Sequence, residues 1–142
     1  MPDFSFKKSE RLTGSKSISS LFQDGISISS YPVRILFSTE GKGPQPLSLA
    51  ISVPKRLFKR AVDRNLLKRR IREAYRLNKH QVYTKLQLME SKVNLVIQYQ
   101  QREILDYQII ETGVVKALDK MVRRLEDQTR NLSNDGSSAQ PH

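Results

Sequence analysis

Residues 59–76 read KRAVDRNLLKRRIREAYR, eight cationic side chains in eighteen residues on a segment whose apolar positions recur at helical spacing. Few folds accommodate such a segment. At roughly 100° per residue, Leu67, Ile71 and Ala74 share one arc, with Leu66 and Leu77 towards its edge. Arg64, Asn65, Lys68, Arg69, Arg72, Arg76 and Lys79 share another. The first arc has to be buried, and the second has to stay where charge is solvated or neutralised. Arg64, Lys68, Arg72 and Arg76 stand four residues apart and form a ridge along one side. Asn65 is the uncharged member of that side, and its amide both donates and accepts hydrogen bonds, which suits a base edge or a 2′-hydroxyl. Only Asp63 and Glu73 offset the cations within the segment, whereas a merely solvated helix face alternates its signs. Phosphates are the natural counterpart, because each one neutralised releases condensed counterions.

The whole chain is biased the same way. Lys and Arg number 25 against 14 acids, a net charge of +11 and a pI near 10.1, which suits nucleic acid or an anionic membrane surface. Its 142 residues are expected to form one domain with a modest core. With no cysteine, disulfides, a thiolate nucleophile and a cysteine metal site are excluded, and a cytoplasmic location is expected. The N-terminus lacks the apolar core of a signal peptide, and no apolar run approaches a membrane span.

Residues 1–14 read as an extended arm carrying Phe4, Phe6, Lys7, Lys8 and Arg11. A serine near Ser15 is expected to cap a short helix with Ile18, Leu21 and Phe22 at i, i+3, i+4, stopped by Gly25. Tyr31–Ser38 and Leu47–Val53 alternate as strands, separated by a Gly/Pro loop over 40–46. A connector over 55–61 leads to the basic helix, predicted to run to about Lys79 and to resume after a break over 81–89. Lys92–Tyr99 reads as a further core strand. Asp106 is the expected N-cap of a last helix striped by Tyr107, Ile110, Val114, Leu118, Met121 and Leu125, with Gly113 weakening it by about 1 kcal/mol relative to alanine. From Asp127 the serine-rich composition predicts a disordered tail, 127–142, which leaves a single domain over 15–126. The order predicts an α+β, two-layer α/β sandwich, roughly α-β-β-(β)-α-β-α.

A protein-borne catalytic site is not expected. The two histidines are His80, near the end of the basic helix, and His142 in the tail. Asp119 with Glu126, and Glu103 with Asp106, suit helix surface or capping better than two-metal chemistry. Gly41 and Gly43 belong to a simple turn rather than a phosphate loop. The reading is of a binding protein without a metal site of its own.

The residues Val53, Lys55, Arg56, Arg60, Ala61, Arg64, Asn65, Lys68, Arg69, Arg72 and Glu73 resemble the RNR signature of the bacterial ribonuclease P protein subunit. There a V-x-K-K-like strand end precedes a helix A-x-x-R-N-x-x-K-R-x-x-R-E. The resemblance extends more weakly from about Phe6 to about Leu125. It implies the same α+β architecture, with a left-handed β-α-β crossover through the RNR helix where ordinary chirality gives a right-handed one. It also implies membership of a ribonucleoprotein that removes the 5′ leader from precursor tRNA, with the active centre and its Mg²⁺ on the RNA subunit. Arg64, Asn65, Lys68, Arg69 and Arg72 would then contact the catalytic RNA, with Lys55, Arg56, Lys59 and Arg60 along its edge. No membrane and no obligate protein partner is implied.

By the same resemblance, a cleft between the first helix and the sheet would hold the single-stranded leader. Ile18 and Phe22 would line it, with Arg34 and Leu36 or Ile35 and Phe37 according to a one-residue register that alternation leaves open. Aromatic faces there stack bases and cations track the backbone, although Phe22 and Phe37 at these spacings also suit a core. Ile18 stands where the family commonly has phenylalanine, Pro54 replaces a small residue, Asp63 precedes Arg64, and Tyr75 takes an often apolar place. A ribosomal or general RNA-binding protein of similar fold explains the charge but not the full motif. A basic helix lying on an anionic membrane is the rival from another class.

Overall fold

Short runs of branched apolar residues alternating with serine build a four-stranded sheet, and three helices cover it. The computed structural model describes residues 10–41 and 44–138; Phe4, Phe6, Lys7, Lys8, Gly43 and His142 lie outside the described residues. The elements are α1 (Ser15–Asp24), β1 (Ile26–Ser30), β2 (Val33–Ser38), β3 (Leu47–Ser52), α2 (Ala61–Leu88), β4 (Val93–Tyr99) and α3 (Tyr107–Ser138). The sheet order is β1-β2-β4-β3. β1–β2 and β2–β4 are antiparallel, while β3 lies parallel to β4 with α2 as the crossing element.

Pairing of Ile35 with Ile97 and of Leu49 with Leu95 gathers one apolar face. That face meets Leu67, Ile71, Ala74 and Tyr75 of α2 and Ile110, Val114, Leu118, Met121 and Leu125 of α3, all buried in one core. The opposite face carries Leu36 and Val96, which form a second small cluster with Leu21, flanked by Ile18, Leu12 and Ala50. The sheet and the α2/α3 pair are therefore the main layers, and α1 lies alone on the other side.

Several local expectations change. β1 is an additional strand, in which Ile26 and Ile28 alternate with exposed Ser27 and Ser29; two apolar residues were too weak a pattern to place it. Gly14 occupies the N-cap of α1 at φ 99°, and no side chain caps the helix. α2 is continuous for 28 residues. No Gly or Pro interrupts 61–88, and Val82 and Leu86 extend the buried stripe past the expected break. In α3 the buried stripe runs to Leu125, residues 126–129 are exposed, and helical backbone runs on to Ser138. The arm also has an ordered end: Leu12 N–H donates to the Leu49 carbonyl at 2.8 Å.

Gly113 is more than a weak point in α3. A Cβ there would lie 2.3 Å from the Tyr31 carbonyl oxygen and 2.6 Å from Pro32 Cδ. The missing side chain lets the 31–32 turn seat directly on the helix, where Ser30 Oγ donates to the Gly113 carbonyl at 2.9 Å.

Candidate nucleic-acid interface

The basic connector owes its shape to two anchors. Phe58 is buried and packs its ring 5.9 Å from that of Tyr99. Pro54 starts the turn by accepting the amides of Leu57 and Phe58 at 3.1 and 3.3 Å. From the helix, Arg64 Nη1 donates to the Phe58 and Lys59 carbonyls at 2.8 and 2.9 Å. Arg64 thus fastens the connector to α2, and Lys55, Arg56, Lys59 and Arg60 project as exposed residues from a braced backbone. Asp63 lies 3.9 Å from Arg60 Nε, not on Arg64, and as a first-turn acid it also favours the helix dipole.

Along α2 the predicted cationic arc divides by partner. Asn65, Arg69 and Arg72 are exposed and Lys68 is half-buried. Among the described residues, Lys55, Arg56, Lys59, Lys68, Arg69 and Arg72 form no ion pair. Arg76 is paired with Glu73. Arg70 turns the other way, donating to the Leu105 carbonyl at 2.6 Å and tying α2 to the loop before α3. Leu67, Ile71 and Ala74 are fully buried, so the apolar arc of α2 is spent on the core, and no helix among the described residues is long and apolar enough to cross a membrane.

Lys79 leaves the arc altogether. It is 3 % exposed, and its ammonium lies 2.7 and 2.6 Å from the two carboxylate oxygens of Glu10, itself 2 % exposed. Tyr83 donates to Glu10 at 2.6 Å, and the Tyr75 and Tyr83 hydroxyls are 3.4 Å apart. Burial pushes the Tyr83 hydroxyl well above its ordinary value, with Tyr75 and Glu10 adding to the shift, and burial raises Tyr75 likewise. The folded state holds these protons more tightly than the unfolded chain. This part of the stability is therefore complete below about pH 10 and is lost as pH rises beyond it. The fall in urea midpoint between pH 8.5 and 11 is expected to be smaller in Tyr83→Phe than in the wild type.

Burial shows which residues of β2 face α1. Ile35 and Phe37 are fully buried in the main core, so Phe37 belongs to the α2/α3 side and not to the surface under α1. Arg34 and Leu36 take the α1 side, where Leu36 is covered by Leu21. Arg34 Nε donates to Gln98 at 2.8 Å, which holds the guanidinium along the sheet. Ile18 is half-buried on this cluster, and Phe22 remains 38 % exposed. Among the described residues, no three His, Asp or Glu side chains converge to hold a metal ion.

Arg69 and Arg72 thus continue the braced basic connector along α2, while α1 presents Phe22 on the other face of the sheet. The ribonuclease P family model covers residues 6–124. The ribonuclease P protein component of Porphyromonas gingivalis is 35% identical over 118 residues, covering 82% of this chain and 86% of that one. This chain belongs to the ribonuclease P protein family. Solved ribonuclease P proteins share the fold: that of Staphylococcus aureus has a TM-score of 0.65 at 20% identity, covering 80% of this chain and 96% of its own. That of Thermotoga maritima has a TM-score of 0.60 at 23% identity, covering 78% and 96%.

Within this family member, the signature residues divide into two kinds. Val53 is buried where β3 gives way to the connector and Arg64 holds backbone, while Asn65, Lys68, Arg69 and Arg72 face outward. Sequence reasoning missed Glu10, Tyr83 and Arg70 as positioning residues. Lys79 carried one signal: it falls four residues from both Tyr75 and Tyr83, next to the apolar stripe. Its acid lies 69 residues away in sequence, beyond any spacing argument.

Proposed function

We infer that the chain is the protein subunit of a ribonuclease P ribonucleoprotein, assisting removal of the 5′ leader from precursor tRNA in the cytoplasm. The observation that carries this reading is the set of exposed Asn65, Arg69 and Arg72 with half-buried Lys68, whose cations form no ion pair among the described residues and continue a braced basic connector. A phosphate backbone docked there gains counterion release with little ordering cost, because the connector is already fixed. In this reading Arg69, Arg72 and Lys68 bind the catalytic RNA, Asn65 reads a base edge or 2′-hydroxyl, and Lys55, Arg56, Lys59 and Arg60 extend the contact. In this reading the RNA subunit would hold the reacting phosphodiester and the Mg²⁺, which would supply an activated water there. Phe22, Ile18 and Arg34 are the surface for the single-stranded leader, with Phe22 as its stacking face and Leu36 as the floor.

Precursor tRNA cleavage by a bacterial ribonuclease P RNA at low Mg²⁺ tests the assignment. The wild type should restore 5′ maturation. Arg69→Ala/Arg72→Ala should lose most of that effect without losing thermal stability. It should also flatten the salt dependence of RNA binding by about 1.4–1.8 in log–log slope for two lost phosphate contacts. Arg64→Ala/Asn65→Ala should fail as well, with a loosened connector. RNA binding without any gain in cleavage would instead favour a general RNA-binding protein.

A further inference from the structure

A second candidate surface lies at the other edge of the sheet. α2 packs on β3 and α3 on β1 and β2, and β3 and β1 are the two outer strands. Between β1 and α3 runs a groove of about 510 Å³ lined by Tyr31, Ile109, Thr112, Lys116 and Lys120 among others. Tyr31 is 63 % exposed at its rim and Ile109 is 40 % exposed. Such exposure of an aromatic beside an aliphatic is held by construction. The turn bearing Tyr31 is seated on Gly113 and tied by Ser30, so the backbone under the ring cannot sink into the core.

Beyond the ring, Lys116, Lys120 and Arg124 follow at four-residue intervals, about 6 Å apart along the helix. This is comparable to the spacing of phosphates in an extended single strand. Lys120 is steadied by the Ser29 carbonyl at 3.3 Å, which leaves its charge unneutralised. Among the described residues Lys116 and Arg124 form no ion pair; Arg123 is engaged by Asp119 at 3.0 Å, and Asp127 closes the line beside Arg124.

We propose that this groove is a second binding site for single-stranded RNA, with one base stacked on Tyr31 against Ile109 and the following phosphates on Lys116 and Lys120. An anionic membrane would meet only one exposed ring and one isoleucine here. An acidic peptide would have no use for a flat aromatic face next to hydroxyl and amide groups. A base followed by phosphates uses both the ring and the cation line. The site goes beyond the α2 interface and does not depend on it.

The chain has no tryptophan, so Tyr31→Trp in the full-length protein places a single reporter in the groove. A twelve-residue oligouridine should quench its fluorescence saturably. Lys116→Ala/Lys120→Ala in that background should raise the half-saturation concentration at least fivefold, and Lys116→Arg/Lys120→Arg should restore it. Arg69→Ala/Arg72→Ala should leave it within twofold. Absence of quenching, or quenching that follows the α2 pair instead of the lysine pair, overturns the proposal. Equal quenching by polyglutamate of the same length also overturns it, by making the groove a general polyanion surface. None of these results bears on the α2 reading, which stands or falls on precursor tRNA cleavage.

Discussion

Glu10→Ala is expected to cost about 3–5 kcal/mol of folding stability, because it leaves the Lys79 ammonium buried without its counter-ion. The two side chains are 3 % and 4 % exposed and 2.6 Å apart at closest approach, and Tyr83 loses its acceptor at the same time. A fall in Tm of more than about 10 °C would follow. Replacing both ends, Glu10→Leu/Lys79→Met, should recover most of the loss, since an apolar pair carries no desolvation penalty. On the proposed reading the effect also reaches the RNA-binding surfaces. Glu10 precedes Arg11 and Leu12, which join the chain to β3 at Leu49, and Leu12 packs beside Ile18. Loosening this segment should free α1 from the sheet and weaken leader binding more than binding through α2. Thermal melts of the single and double variants check the first part. Affinities for precursor and mature tRNA check the second. A Glu10→Ala protein with an unchanged Tm would show the pair to be energetically idle.

Gly113→Ala is expected to destabilise by about 1–3 kcal/mol, the reverse of what helix propensity alone gives. In an isolated helix the change gains about 1 kcal/mol. Here the new methyl meets the Tyr31 carbonyl at 2.3 Å, and the atom it meets is backbone, which cannot swing aside like the end of a side chain. The turn must lift from α3, and the bond from Ser30 to the Gly113 carbonyl weakens with it. Gln108→Ala, at an exposed position of the same helix, should move stability by less than about 0.5 kcal/mol. Urea unfolding of Gly113→Ala gives opposite signs for the two accounts, with Gln108→Ala as the control. A stabilised Gly113→Ala would mean that the turn is free to move.

Much of the interface could be read directly from the chain. A run with eight cations and an apolar stripe admits one orientation only, stripe inward, and the folded protein buries Leu67, Ile71 and Ala74 completely while Asn65, Arg69 and Arg72 stay exposed. The strands over 33–38, 47–52 and 93–99 follow from β-rich runs with one face consistently apolar, and the stripe of α3 from its i, i+3, i+4 spacing. These patterns are local, and the physics behind them is local too: each residue's side is set by backbone period.

The rest depended on contacts between distant segments. Periodicity put Lys79 with the RNA-facing cations, and only the approach of Glu10 shows why an ammonium is tolerated inside. Alternation allowed either face of β2 to meet α1; the core packed under α2 and α3 took Ile35 and Phe37 and left Arg34 and Leu36 on the α1 side. The pattern of cations placed Arg64 on the charged arc, and only the folded-back connector adds its second task, with Nη1 donating to the Phe58 and Lys59 carbonyls. Gly113 read as a flaw until a turn from the opposite end of the sheet was seen resting on it. The sequence by itself determined which faces exist and what charge each bears, because these are set within a few residues. Tertiary structure alone decided which polar groups are spent holding the scaffold, because their partners lie dozens of residues away.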